Sequence, residues 1–344
     1  MASTVDIAAQ ESDDLSVLFE DEASELEGIE AATEPEVRTI SIAAEQHAQR
    51  LDRALADTVP EFSRSYLQQL LALGAVSLNG APVSKSSQRV KAGDRVCLEM
   101  RPTLQSQAFR PESMPIDVVY EDDHLLVVNK PAGLVVHPAP GNWSGTLLNG
   151  LIGRDPGAAQ VPRAGIVHRL DKDTSGLMVV ARSRAAMDAL VCMIADRLVT
   201  RQYLALAHRS WRSSAKKTVD APIGRDPRNR LRMAVVDLAL HAGKTAKTDI
   251  EFLSGADDGC LVRCTLHTGR THQIRVHMAS IGHSLVADVL YGGVSAVGME
   301  RQALHAFRLA FVHPMTGQAM EFYAPLPVDL LAALQQWNLQ FQVL

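Results

Sequence analysis

The sequence predicts an α+β protein in two parts, a small basic helix–hairpin module followed by one large mixed unit. Three observations carry this. Charge is segregated: residues 1–38 hold twelve acids and one base, so the remaining 306 residues carry a net charge of +6 although the whole chain carries −5. A strong two-residue turn signal, Asn79-Gly80, sits between alternating apolar residues. From residue 114 onward, short apolar runs alternate with polar loops without βαβ regularity. Neither GxxxxGK nor GxGxxG occurs, so nucleotide-cofactor folds lose support.

Residues 1–38 are expected to form a disordered acidic tail. Residues 39–101 read as the basic module. Ser63 is placed to cap a helix from Arg64 to about Leu73, with Leu67, Leu70 and Leu71 at helical spacing and Gly74 ending it. Val76 and Leu78 alternate ahead of the Asn79-Gly80 turn. Ala92-Gly93-Asp94 is a second turn, and Val96, Leu98 and Met100 alternate after it. Residues 102–113, with two prolines among polar residues, read as a linker. The large unit follows at 114–344. Leu125-Leu126-Val127-Val128 is a buried strand. Lys130-Pro131 and His137-Pro138 punctuate two short strands. Ser183 precedes a helix to about Leu198, with Leu190, Val191, Ile194 and Leu198 on one face. "RQYLALA" and "CLVRCTLHT" are further strands.

Several function classes are excluded early. No apolar run approaches the roughly 20 residues of a membrane helix. The N-terminus lacks an apolar secretory core, which points to the cytoplasm. Cys260 and Cys264 share one face of a strand, but no second pair completes a zinc site, so buried free thiols are expected.

The stretch His168-Arg169-Leu170-Asp171-Lys172-Asp173-Thr174-Ser175-Gly176 concentrates charge between two apolar runs, Ala164–Val167 and Leu177–Ala181. A carboxylate beside a fixed cation, on a loop anchored in a core, is a candidate nucleophile or general base. The same residue types also make ordinary turns. Tyr203 stands inside an apolar strand, where a tyrosine usually belongs to the core with its hydroxyl at the edge. Residues 266–292 concentrate His267, Arg270, His272, Arg275, His277 and His283. His272 and His277 lack an acidic ligand at zinc-like spacing, so no metal is expected. Basic residues spaced through a strand and turn better fit contacts to phosphate or to a carboxylate.

"SRSYLQQLLALGAVSLNG", within residues 63–80, resembles the S4 RNA-binding domain. "RAGIVHRLDKDTSGLMVVA", "GRTHQIRVHMASIGHSLVAD", "NKPAGLVVHPAPGN" and "RQALHAFRLAFVHPMTG" resemble the RluA family of pseudouridine synthases over roughly residues 39–330. The resemblance implies a catalytic domain with a mixed, mainly antiparallel sheet flanked by helices and loops. It implies isomerisation of uridine to pseudouridine, in large-subunit (23S) rRNA or its particle precursor and there in helix 69, by a monomer that needs no cofactor. In this family's pattern Asp171 matches the catalytic carboxylate, Arg275 its basic partner and Tyr203 the active-site tyrosine. Arg169 matches the arginine that holds the flipped-out nucleotide, and Leu266 and Ile274 the apolar walls. His168 and Arg64 complete the expected RNA contacts. Other readings are a paralogue acting on other rRNA or tRNA uridines, a non-catalytic RNA-binding assembly factor, and a carboxylate-dependent glycosidase. The last would want a second catalytic carboxylate, for which Asp173 is nearby but better suited to capping its turn.

Overall fold

The computed structural model describes residues 37–101, 108–139, 141–229 and 231–341. Almost all of the segment expected to be a disordered tail lies outside them. The chain divides into two compact units between Ala108 and Phe109.

In the smaller unit, β1 (Val37–Ser41) precedes helices α1 (Leu51–Thr58) and α2 (Arg64–Ala72). Then come β2 (Val76–Leu78), β3 (Ala81–Pro82) and β4 (Arg95–Glu99), in a four-stranded sheet of order β1-β4-β2-β3. The Ser63 side chain accepts a hydrogen bond from the Tyr66 amide at 3.2 Å and caps α2. Leu67, Leu70 and Leu71 are fully buried, as their spacing predicts. Asn79 and Gly80 both take positive φ, the geometry of a type I′ turn that matches the twist of the paired strands β2 and β3. The sequence reading missed β1, whose first residues Val37 and Arg38 fall inside the segment assigned to the tail. Half of this short, polar strand is exposed, and only its pairing to β4 defines it.

The larger unit holds β5 (Val118–Glu121), β6 (Leu125–Lys130), β7 (Ser175–Ala181), β8 (Thr200–His208) and β9 (Lys216–Asp220). A small three-stranded sheet follows, made of β10 (Ile223–Arg225), β11 (Met233–Val235) and β12 (Gly243–Lys244). The last strands are β13 (Lys247–Gly255), β14 (Gly259–Leu266), β15 (Leu304–Val312) and β16 (Ala319–Tyr323). The large sheet has nine strands in the order β5-β6-β7-β15-β8-β14-β13-β9, with β16 on β15. Among the described strands only β7 and β15 pair in parallel, so the sheet is mixed and mainly antiparallel.

Both faces of this sheet are covered, which explains its unbroken apolar runs. Side chains alternate between faces. Met178 and Val180 of β7, and Tyr203 and Ala205 of β8, enter one core together with Cys260 and Cys264. Leu177 and Val179 enter the opposite core with Leu190 of α4 (Arg184–Ala195), while Leu204 and Leu206 pack towards α6 (Val328–Gln336). The first core also receives α3 (Leu147–Arg154) and α5 (Gln273–Ser280).

Four expectations need correction. The basic segment around Arg275 is helix α5 rather than strand and turn, because Ile274 and Met278 reach one core at i, i+4. Helix α4 ends at Ala195: Arg197 turns left-handed and the Leu198 amide bonds back to the Met193 carbonyl, leaving Leu198 61% exposed. The chain after Lys130 is not a second strand. It coils around the buried Lys130 ammonium, which donates to the carbonyls of Pro131 and Leu134. The end of the expected linker is also fixed: both Glu112 carboxylate oxygens accept from the Gly145 amide, and Asn149 Nδ2 donates to the Arg110 carbonyl.

Candidate active site

The site lies where the loop before β7, the middle of β8 and the start of α5 converge on one face of the large sheet. Its centre is Asp171. The Asp171 carbonyl accepts from the Thr174 amide at 3.1 Å, closing a turn. The Lys172 carbonyl accepts from Lys130 Nζ at 3.0 Å and from the Gly133 amide at 2.9 Å, and the Asp173 carbonyl from Arg301 Nη1 at 2.8 Å. Consecutive backbone carbonyls therefore hold the loop. Three of its clamps, Lys130, Gly133 and Arg301, come from elsewhere in the chain. Burial lowers Lys130 to about 8, against the opposing pull of Asp173 and Asp171.

Asp171 Oδ2 accepts from Arg275 Nη1 at 3.1 Å. The rest of that guanidinium is occupied by Asp288, which is 1% exposed and accepts from Nε and Nη2, both at 2.8 Å. This fork-to-fork pair fixes the plane of Arg275 and leaves Nη1 free to donate to Asp171. Arg275 also lies over the Tyr291 ring, 5.0 Å from its centroid. Its pKa is held above the ordinary value because the two carboxylates outweigh burial, which would lower it. His272 adopts a left-handed conformation (φ 57°) just before α5, a backbone state uncommon outside glycine that recurs at functional sites.

Tyr203 is 5% exposed, and burial raises its hydroxyl to about 12, so it is a neutral phenol. It shares its core with Leu170 and Ile274, and Leu266 packs against them. Arg201, two residues away on the same face of β8, is buried, and its Nε has no hydrogen-bond partner among the described residues. Burial, reinforced by Arg201, lowers His168 to about 3, so its ring is neutral. His168 Nε2 accepts from the Val179 amide at 3.0 Å and braces the loop against β7. Arg169 is exposed, and no hydrogen bond among the described residues engages its side chain.

The structure thus brings together Asp171, Arg275, Tyr203, Ile274, Leu266 and His168. It places Arg64 in the smaller unit, where Nε and Nη2 both donate to Asp52 Oδ2 at 3.1 and 2.7 Å. The sequence reading gave no role to Asp288, Tyr291, Lys130 or Arg201. Asp288 and Tyr291 stand within the motif that runs from Gly269 through Gly292, and Lys130 lies at the start of another, but spacing alone does not show that all three serve the Asp171 loop.

A family model described as RNA pseudouridylate synthase matches residues 124–280, and an S4 domain model matches residues 49–96. The chain is 46% identical over 323 residues to a Neisseria meningitidis serogroup B protein named ribosomal large subunit pseudouridine synthase D, covering 90% of this chain and 84% of that protein. The chain belongs to the RluA-type RNA pseudouridine synthase family. It is an isomerase acting on RNA, with an S4 domain ahead of the synthase domain. The protein of the same name from Escherichia coli O6:H1 is 42% identical over 318 residues, covering 88% of this chain and 95% of that protein. Among solved structures, human RNA pseudouridylate synthase domain containing 1 aligns with a TM-score of 0.51 and 30% identity, covering 65% of this chain and 90% of that one. Among the described residues of this family member, no helix is long and apolar enough to cross a membrane.

Proposed function

We propose that this synthase converts uridines of 23S rRNA, in helix 69, to pseudouridine, with Asp171 as the catalytic carboxylate. The observation that carries the assignment is the Asp171–Arg275 ion pair at 3.1 Å, set beside Tyr203 and the apolar Ile274 and Leu266. The names of the similar synthases direct it to large-subunit rRNA. The target base has to leave its stack, at a cost of a few kcal/mol. Arg169 is exposed and can occupy the vacated space or bind phosphate. The freed base packs on Tyr203 between the apolar walls.

With Oδ2 held by Arg275, Oδ1 of Asp171 acts on the sugar, either bonding to C1′ or taking a proton from C2′. The C1′–N1 bond breaks, the uracil turns, and C5 bonds to C1′ as the bond from C1′ to Asp171 breaks or the proton returns from Asp171 to C2′. The C5 proton leaves and N1 gains one. The products balance without redox change, so no cofactor is called for. Arg64 contributes to RNA binding through the exposed part of its side chain. The enzyme is proposed to work as a cytoplasmic monomer.

The test is to map pseudouridine in rRNA from cells with and without the gene. Loss confined to helix 69 supports the proposal. Loss at other rRNA or tRNA positions assigns the chain to a paralogue, and no loss anywhere leaves the RNA-binding assembly factor.

A further inference from the structure

The two oxygens of Asp171 are not equivalent. Oδ2 accepts from Arg275, whereas Oδ1 faces His272 Nε2 at 3.9 Å. That separation is too long for a hydrogen bond but close enough for the ring nitrogen's charge state to matter. On the other side of the ring, His272 Nδ1 lies 2.7 Å from the Tyr291 hydroxyl. That hydroxyl also accepts from the Met233 amide of β11 at 3.0 Å.

This chain of contacts selects a tautomer. With its oxygen engaged by the Met233 N–H, the Tyr291 hydroxyl places its own proton on an acceptor, and His272 Nδ1 is the acceptor in reach. Nδ1 is then unprotonated and the ring proton sits on Nε2. The opposite tautomer would point a lone pair at the carboxylate and bring two donors together at Tyr291. Both ends of the ring therefore favour the same form.

We propose that His272 is a positioning residue for the isomerisation: neutral, with its single proton on Nε2, it orients Oδ1 of Asp171, and the Tyr291 hydroxyl holds it in that form. The inference rests on the reading of Asp171 as the catalytic carboxylate. The neutral ring sets its Nε2–H dipole towards Oδ1 from 3.9 Å without forming a second ion pair, so the oxygen keeps its reactivity. An imidazolium would compete with the sugar for it. The charges facing His272 are Asp171 and Asp288, which favour protonation, and Arg275 and Arg169, which oppose it. Burial is the largest influence and keeps the ring below its ordinary value.

Long-range proton–nitrogen NMR of the full-length protein, with His272 assigned by comparison with His272→Gln, reads the tautomer directly. An unprotonated Nδ1 and a protonated Nε2 at neutral pH are expected. A ring protonated on Nδ1, or charged at that pH, overturns the proposal. Kinetics supply the second arm. His272→Ala should lower kcat about tenfold with KM unchanged, and His272→Gln, which restores a donor near Nε2, should recover most of the loss. Equal loss in both variants overturns the positioning role. Tyr291→Phe keeps the ring beneath Arg275 but frees Nδ1 to take up a proton, so the acid limb of the pH–rate profile should move to higher pH. An unchanged pH–rate profile overturns the part given to Tyr291. Should Asp171→Asn retain turnover while the tautomer is as expected, the reading of Asp171 fails and the assignment of the ring proton stands.

Discussion

At the scale of single residues, the site depends on how one guanidinium is shared. Arg275 gives two donors to Asp288 and one to Asp171, so the fully buried carboxylate fixes the direction from which the partly buried one is held. Asp171→Asn keeps the shape of the loop and removes the reacting charge. It should fold, bind RNA as the parent does, and lose turnover by about a thousandfold or more. Pseudouridine formation on an rRNA fragment, with a binding titration alongside, checks this, and retained turnover would refute the assignment of Asp171. Asp288→Asn should instead affect both stability and rate. Breaking one side of a buried ion pair costs about 3 kcal/mol or more. Urea unfolding and single-turnover rates should therefore both fall, and a normal rate in a destabilised protein would make Asp288 purely structural. Asp171 was legible in the sequence because charge concentrated between apolar runs is conspicuous. Asp288 was not, because an isolated aspartate before a turn looks like any other until the fold sets it against Arg275.

At the scale of elements, the loop carrying Asp171 is aimed by its junction with β7. Gly176 has φ +118°, and a Cβ there would sit 2.2 Å from the Ala306 carbonyl oxygen on β15. The parallel pairing of β7 and β15 thus requires a residue without a side chain where the loop becomes strand. Gly176→Ala should destabilise the larger unit by about 3 kcal/mol, because the obstruction is backbone that cannot rotate away. Chemical denaturation measures it, and a loss under about 1 kcal/mol would mean that the two strands separate easily. Apolar alternation and capping revealed α2, the β2–β3 hairpin and the buried strands β6, β7 and β8. They did not reveal α5, where one arginine and one histidine side chain are buried. Its apolar stripe is reduced to Ile274 and Met278, while Val276 packs into a separate cluster with Ile223 and Ala246. A helix that buries charge for function hides the periodicity by which helices are recognised.

At the scale of the whole molecule, buried neutral histidines link stability to pH. Burial lowers His168 to about 3 and, with Arg301 reinforcing it, His305 to about 4. Their unfolded values lie near 6.5, so as pH falls below that value the unfolded chain takes up protons that the folded chain refuses. The stabilisation is complete above about pH 6.5 and is lost down to the folded values, at up to about 1.4 kcal/mol per pH unit for each ring. The urea midpoint of the larger unit should fall between pH 6.5 and 4.5, and His168→Gln should make that slope shallower. A flat midpoint over this range would show that neither ring stays neutral. Asp122 does not obscure this window. Burial works to raise it, but hydrogen bonds from His124, Leu125, Tyr120 and His313 hold it at about 2.

The sequence by itself determined the class of fold, the segregation of an acidic start from a basic body, and the charged loop that holds the proposed catalytic carboxylate. These are local properties: turn dipeptides, caps, alternation, and a charged loop framed by apolar runs. The resemblance named Arg275 as the partner of Asp171, and tertiary structure supplies the contact. Arg169 is nearer in the chain, yet Arg275, 104 residues away, makes the pair. Tertiary structure also decided that Asp288 holds Arg275, that Lys130 and Arg301 brace the loop, and that Tyr291 and Met233 engage the ring of His272. These depend on strand order and on one sheet face collecting distant loops. Ion pairs and hydrogen bonds act over a few ångströms in space, and sequence separation carries no record of that distance.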